Sequence, residues 1–259
     1  MDLGIAGRTA IICASSKGLG RGCAEALAEA GCTVVINGRD GATLEETASQ
    51  IRASYGAKVV AVVADVSTRA GQDALLAAAP EPDILVNNNG GPPPKGFRDV
   101  TREALLEGVI QNMATPIELT QRVVDGMIAR KFGRIVNITS MSVLTPLTGL
   151  DVSSGARAGL TAFLAGVSRE VAHANVTINN ILPGMFDTDR LKGSMTKMAA
   201  LRNVPIEEMA KARMADVPAK RFGNAEEFGK LCAFIASAHA GYITGQNFLI
   251  DGGVFKGAF

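Results

Sequence analysis

The segment Cys13-Ala14-Ser15-Ser16-Lys17-Gly18-Leu19-Gly20 joins a short apolar run to a stretch of helical spacing. Glycines at such a junction let the backbone approach a phosphate and let helix pack on strand, while free N–H groups at the helix start favour an anion. Two glycines alone could serve packing only; their place after the first strand is what favours a dinucleotide. The second apolar run ends Val35-Ile36-Asn37-Gly38-Arg39. An acidic residue here would take the ribose hydroxyls of NAD. Arg39 instead offers a planar fork to a 2′-phosphate, and Lys17 adds a second cation. The two predict NADP(H) over NAD(H), the alternative being two solvated surface charges. Asp65, beside Val66 at the close of the third run, is placed to accept a hydrogen bond from the adenine amino group. It could equally cap the next helix, although Ser67 already suits that role.

The elements that must hold these residues alternate along the chain. Apolar runs predict strands over 9–14, 33–37, 58–64, 83–87, 134–139, 176–182 and 247–250. Helical spacing predicts helices over 19–30, 42–54, 69–78, 101–129, 154–172, 205–214 and 225–236. Near-continuous apolar strands suit a parallel sheet covered on both faces. The expected fold is therefore α/β: a doubly wound, seven-stranded, mostly parallel Rossmann-type sheet with helices on both faces, in one domain over 1–259. The prolines Pro92, Pro93 and Pro94 stiffen a loop after the fourth strand, where such sheets place their ligands.

In this order the motifs resemble those of short-chain dehydrogenases/reductases, and of 3-oxoacyl-acyl-carrier-protein reductases among them. The first turn is similar to TGxxxGxG, with Cys13 and Ala14 for its Thr and first Gly. Asn87-Asn88-Asn89-Gly90 is similar to NNAG, with Asn89 for Ala. Asn112 matches the family's helix-bending asparagine and Ser140 its catalytic serine. Pro183-Gly184 with Thr188 matches the PG motif and the threonine that holds the nicotinamide amide. Gly245 and Asp251-Gly252-Gly253 resemble the closing TGQ and DGG run. The resemblance implies NADP(H)-dependent oxidation or reduction of a small carbonyl or hydroxyl compound. It implies a homotetramer formed through the helices over 101–129 and 154–172. It also implies a cofactor cleft of Ala14, Ser15, Ser16, Lys17, Gly18, Leu19, Gly20, Arg39, Asp65, Val66, Asn88, Asn89, Gly90, Arg157, Pro183, Gly184 and Thr188.

One departure is large. The family's YxxxK falls on Ser153 and Arg157, and Ala158-Gly159-Leu160 keeps the register. The chain has two tyrosines, Tyr55 and Tyr242, and neither is placed to substitute. A serine hydroxyl is a far weaker acid than a phenol, which titrates near ~10. Helix capping is the simpler role for Ser153. Arg157 keeps the charge and could bond a ribose, polarise a substrate oxygen or hold a carboxylate. It cannot readily cycle protons, its pKa lying above ~12. With Ser140 and Asn112 retained, the expectation is an oxidoreductase with a rearranged site. The alternatives are a non-catalytic NADP(H)-binding sensor or partner subunit, and a cofactor-free structural relative.

Composition narrows the rest. Of 259 residues, 47% are hydrophobic and 20% charged, with a net charge of +1, so no bulk field favours nucleic acid or an anionic membrane. The longest apolar run, at 59–64, is far short of the ~20 residues that span a bilayer. The opening MDLGIAGRTA has no basic leader, and a cytoplasmic protein is expected. The cysteines Cys13, Cys23, Cys32 and Cys232 lack CxxC spacing and read as buried free thiols; two histidines make no zinc site. A substrate lid is expected over 187–218. Its Met195, Met198, Met209 and Met214 would form an adaptable apolar wall, or else the ordinary core of two helices. The loop 90–97 would form the opposite wall.

Overall fold

In the computed structural model, which describes residues 1–257, seven strands form one parallel sheet in the order β3-β2-β1-β4-β5-β6-β7. They are β1 (Thr9–Ile12), β2 (Thr33–Gly38), β3 (Val59–Val63), β4 (Ile84–Asn87), β5 (Gly133–Ile138), β6 (Val176–Pro183) and β7 (Asn247–Ile250). Every pairing is parallel, so the expected sheet is present with no antiparallel member. The chain leaves β1 towards β2 and later returns to its other side as β4. That reversal opens a crevice at the carboxyl ends of the two strands.

The helices are α1 (Gly18–Glu29), α2 (Gly41–Tyr55), α3 (Arg69–Ala78), α4 (Arg102–Val109), α5 (Thr115–Ala129), α6 (Asp151–Val171), α7 (Asp189–Arg202), α8 (Ile206–Asp216) and α9 (Ala225–Ile235). One core layer joins Ile12, Ile36 and Val136 to Leu27, Leu44 and Phe228 of α1, α2 and α9. The other joins Ile11, Leu85 and Ile135 to Leu75, Val123 and Leu164 of α3, α5 and α6. Alternate residues of each strand thus serve opposite layers, as the pleat requires. Gly22 and Gly229 let α1 and α9 cross in near backbone contact. A Cβ on Gly229 would lie 2.1 Å from the Gly22 carbonyl oxygen.

Several boundaries differ from the sequence reading. The stretch 101–129 is two helices joined by a π turn, Ile110–Ala114, which carries Asn112. A π turn adds one residue to the ladder and re-aims the side chain on it. The first turn of α3 is capped by Thr68, not Ser67: the Thr68 hydroxyl accepts from the Gly71 amide. Asp65 instead accepts from the Ser67 amide at 2.9 Å. Helix α6 starts three residues before 154, which puts Ser153 inside its first turn. The N-cap position is Leu150, so Ser153 is not a cap. Helix α7 was not among the expected helices, because its sequence DRLKGSMTKMAALR has no sustained apolar stripe.

A row of side-chain amides crosses the sheet at the level of the crevice. Asn87 donates to Asn137 at 2.9 Å, Asn137 to Asn180 at 3.0 Å, and Asn180 to Asn247 at 2.8 Å. The four residues are register partners on β4, β5, β6 and β7. Each amide inside the row both donates and accepts, which is how a buried asparagine avoids the cost of an unpaired group.

All four cysteines are free and buried, as expected. Burial pushes the Cys13 and Cys32 thiols up to about 12. A thiol is nucleophilic only as thiolate. Iodoacetamide at pH 8 should therefore label no cysteine in the folded protein and all four in denaturant; fast labelling without denaturant would contradict this packing. Asn137→Ala breaks the amide row at its centre, takes the shortest acceptor from the Asn87 amide and leaves the Asn180 side-chain oxygen without its donor. A destabilisation of about 2–4 kcal/mol is expected in urea titrations, and a change under 0.5 kcal/mol would show the row to be dispensable.

Candidate functional site

The turn after β1 is shaped by its neighbours on the sheet. Ala14 sits at φ +44°, in the region glycine prefers. It is held there by Asn37 Oδ1, which accepts from its amide at 3.2 Å, and by Asn88 Nδ2, which donates to its carbonyl at 3.0 Å. Ser15 is fully buried. Its hydroxyl donates to the Ile12 carbonyl and accepts from the Asn37 amide, so it splices β1 to β2 and has no free face. Ser16 is partly exposed, and its carbonyl accepts from Thr47 on α2. Lys17 is the N-cap of α1 and makes no side-chain cap, which leaves the first amides of the helix open. Gly20 lies so close to the turn that a Cβ there would be 2.4 Å from the Ala14 carbonyl oxygen. A Cβ on Gly18 would be 3.6 Å from the Thr188 methyl, which brings Thr188 from the far side of the crevice to face the turn.

Arg39 is exposed beyond the end of β2 and forms no ion pair among the described residues. Lys17 lies 3.8 Å from Asp189. Asp65 is half-buried beyond β3, whereas Val66 points into the core and offers only backbone. The residue set fits a phosphorylated dinucleotide. It has open helix amides, a turn too tight for side chains, and a guanidinium with no carboxylate of its own.

The loop after β4 is tied from below. Asn89, where the resemblance has alanine, donates to the Ser67 hydroxyl at 3.0 Å and to the Gln111 carbonyl. It also accepts from the Gly90 amide. Asn112 on the π turn donates weakly to the Gly108 and Gly90 carbonyls, at 3.4 and 3.5 Å. The oxygens Asn87 Oδ1, Asn112 Oδ1 and Thr115 Oγ1 are buried without a partner among the described residues. All three residues line one cavity of about 20 Å³, together with Arg157 and Leu160. That is the room one water needs, and the oxygens are of the kind that would hold it.

Arg157 is where structure and sequence reading part most. It lies buried on α6, its Nη1 donating to the Ile138 carbonyl at 2.5 Å and its Nε to the Ser153 hydroxyl at 3.2 Å. The fork is spent on the end of β5 and on its own helix. Burial, with the nearby Arg190 adding repulsion, lowers its pKa to about 10, so it stays charged at neutral pH. Ser140 is half-buried after β5 and accepts from the Ser142 amide at 3.1 Å, which leaves its own proton free to donate. Ser140, Ser153, Arg157 and Asn112 therefore belong to one region, between the end of β5, α6 and the π turn.

Across the crevice, Pro183 ends β6 and Gly184 follows it, and a Cβ on Gly184 would lie 2.7 Å from Asp251. Thr188 caps α7, accepting from the Leu191 amide at 3.4 Å. Met195 and Met209 are buried between α7 and α8, with Met198 packed against them. These three are the shared core of two helices and not an open wall. Arg190, which the sequence reading passed over, reaches from α7 to the proline loop. Its Nη2 donates to the Pro92 carbonyl at 3.4 Å. A charged residue in a segment without apolar spacing gave no signal of that reach.

Among the described residues no helix is long and apolar enough to cross a membrane, and no His/Cys/Asp/Glu group could hold a metal. The family model described as Enoyl-(Acyl carrier protein) reductase matches residues 13–255. The chain is 32% identical to the 3-oxoacyl-[acyl-carrier-protein] reductase FabG of Aquifex aeolicus, over 98% of this chain and 100% of that one. It is 31% identical to the NADPH-dependent reductase BacG of Bacillus subtilis, over 96% and 98%. The crystal structure of L-sorbose reductase from Gluconobacter frateurii, complexed with NADPH and L-sorbose, superposes with a TM-score of 0.94. It is 28% identical and covers 99% of this chain and 100% of that one.

Proposed function

Because the chain belongs to the short-chain dehydrogenase/reductase family, we propose that it is an NADP(H)-dependent oxidoreductase of a small carbonyl or hydroxyl compound, with a rebuilt proton-transfer apparatus. The observation that carries this reading is the intact cofactor side. The open turn at Gly18 and Gly20 faces Thr188, and Arg39 stands free where a 2′-phosphate would need a cation. The named relatives that use NADPH support the same choice.

Ser16, Lys17, Gly18, Leu19 and Gly20 would hold the pyrophosphate by backbone amides in the turn that Ala14 shapes, Arg39 the 2′-phosphate, and Asp65 with the Val66 backbone the adenine. Asn88, Asn89 and Gly90 would line the ribose side, and Pro183, Gly184 and Thr188 the nicotinamide side. The reduced nicotinamide, when bound, supplies hydride. The chain must then supply a proton and a site for the developing negative charge. Ser140 is the free donor for the substrate oxygen, and its proton is replaced from solvent. Ser153 already accepts from Arg157 and can donate a second hydrogen bond. Arg157 lends its charge to the site and fixes the Ser153 hydroxyl, but passes no proton. Asn112 acts through the cavity it lines. Without a dedicated acid the chemical step should be about 10²–10⁴ slower than with one.

Residues 187–218 act as the lid of a single domain. Copies associate as a homotetramer through α4, the π turn, α5 and α6, on which Leu105, Leu106, Ile110 and Phe163 are exposed. The free buried thiols suit a reducing cytoplasm. A second reading has one observation in its favour: Arg157 is committed to the Ile138 carbonyl, as a structural residue would be. In that reading the protein binds NADP(H) without turnover, as a sensor or partner subunit. Turnover that disappears in Ser140→Ala would exclude it.

The chain has no tryptophan, so NADPH fluorescence can be followed directly. NADPH should bind at least tenfold more tightly than NADH. Arg39→Ala should reduce that preference about tenfold, the worth of one charge-assisted contact. Equal losses for both cofactors would show that Arg39 does not read the phosphate, and negligible binding of either would select the cofactor-free relative. Ser153→Tyr with Arg157→Lys should raise carbonyl reduction by about 10²-fold. No gain in a folded double variant would mean that the substrate pocket has changed as well.

A further inference from the structure

The stretch from Asp187 to Lys192, at the start of α7, carries two acids and two cations, and the acids are taken. Asp187 pairs with Lys192 at 3.0 Å, and Asp189 with Lys17 at 3.8 Å. Arg190 has no carboxylate within 4 Å among the described residues. It leans instead across the crevice onto Gly91 and Pro92. A Cβ on Gly91 would come within 2.5 Å of both of its terminal nitrogens, so the glycine is what admits the guanidinium. Its one acceptor there is the Pro92 carbonyl at 3.4 Å, a neutral group at the long limit of hydrogen bonding.

Along the same loop, Pro92, Pro93 and Lys95 line a recess of about 10 Å³ that ends at Leu150, Val152 and Ser153. The Lys95 backbone is pinned to the Gly149 carbonyl at 3.0 Å, and its ammonium also lacks an ion-pair partner among the described residues. Asp151, which flanks the recess, is exposed and forms no ion pair among the described residues. Arg157 stands behind Ser153 as a third positive charge, and burial first, then the charge of Arg190, lowers its pKa. Three cations thus border the ground next to the substrate hydroxyl donors, and none forms an ion pair among the described residues.

We propose that the substrate is a small carbonyl compound bearing a carboxylate, received by Arg190 and Lys95 beside the recess that ends at Ser153. The proposal rests on the reductase reading and narrows its substrate class. A carboxylate matches the planar fork of Arg190 with two hydrogen bonds and displaces one long contact to a neutral carbonyl. The stiff proline loop holds Lys95 in place at little cost in chain entropy. A neutral ketone would offer these charges no counter-ion.

The test has a turnover arm and a binding arm. Acetoacetate and methyl acetoacetate are compared as substrates with NADPH, and the ratio of their kcat/KM values is measured. That ratio should favour the acid and fall at least tenfold in Arg190→Met, with a smaller fall in Lys95→Met. Malonate and dimethyl malonate are titrated calorimetrically into the NADPH-loaded and the free protein, which needs no turnover. Malonate should bind, its diester should not, and Arg190→Met should weaken malonate at least tenfold. Equal handling of acid and ester overturns the proposal. So does an Arg190→Met variant that loses NADPH affinity while its acid-to-ester discrimination is unchanged, since Arg190 would then serve the cofactor. If neither substrate turns over, the reductase reading rests on the NADPH titration, and malonate binding decides whether the anion site stands.

Discussion

The crevice depends on parallel strands ending at one level, and the amide row from Asn87 to Asn247 is the bond that fixes that level on one side of it. Backbone bonds alone tolerate slippage in a uniformly apolar parallel sheet, because every register buries similar side chains. An asparagine that must meet an asparagine on each neighbour removes that freedom. Its donors all run the same way, from β4 to β7, so each amide polarises the next. The first of them, Asn87, presents its unpaired oxygen to the cavity at the foot of the site. Sheet register and site architecture thus share a residue.

On the other side of β4 the same purpose is served by different chemistry. Ser15 splices β1 to β2, Asn37 donates to the Val62 and Ala64 carbonyls near the end of β3, and Asn88 ties the β4 loop to the first turn. The rigid frame explains how the family's proton-transfer pair could be replaced without loss of the fold. Arg157 took up the Ile138 carbonyl, satisfying a strand end that the helix would otherwise leave buried against it. The replacement is stable in structure even where it is poorer in chemistry.

Strands were readable because apolar runs of four to eight residues carry their own evidence; β7 and α3 agree with expectation to the residue. The phosphate turn was readable because its glycines act locally. What was hidden depends on partners distant along the chain. Asn137 and Asn180 look like polar interruptions of apolar strands until register sets them side by side. The inward turn of Arg157 follows from a carbonyl nineteen positions earlier, and the position of Arg190 from a glycine ninety-nine positions earlier. The π turn has no sequence period of its own, and Thr68 displaced Ser67 as cap through a one-residue shift that spacing cannot resolve.

The left-handed Ala14 has a thermodynamic consequence. An alanine confined to this conformation costs about 1 kcal/mol that glycine would not. It also denies the unfolded chain the wide range of shapes that glycine would roam. With its amide and carbonyl both engaged, the loop arrives already set. A dinucleotide docking there would forfeit little disorder of the polypeptide, so its affinity would be eroded mainly by the ligand's own loss of motion.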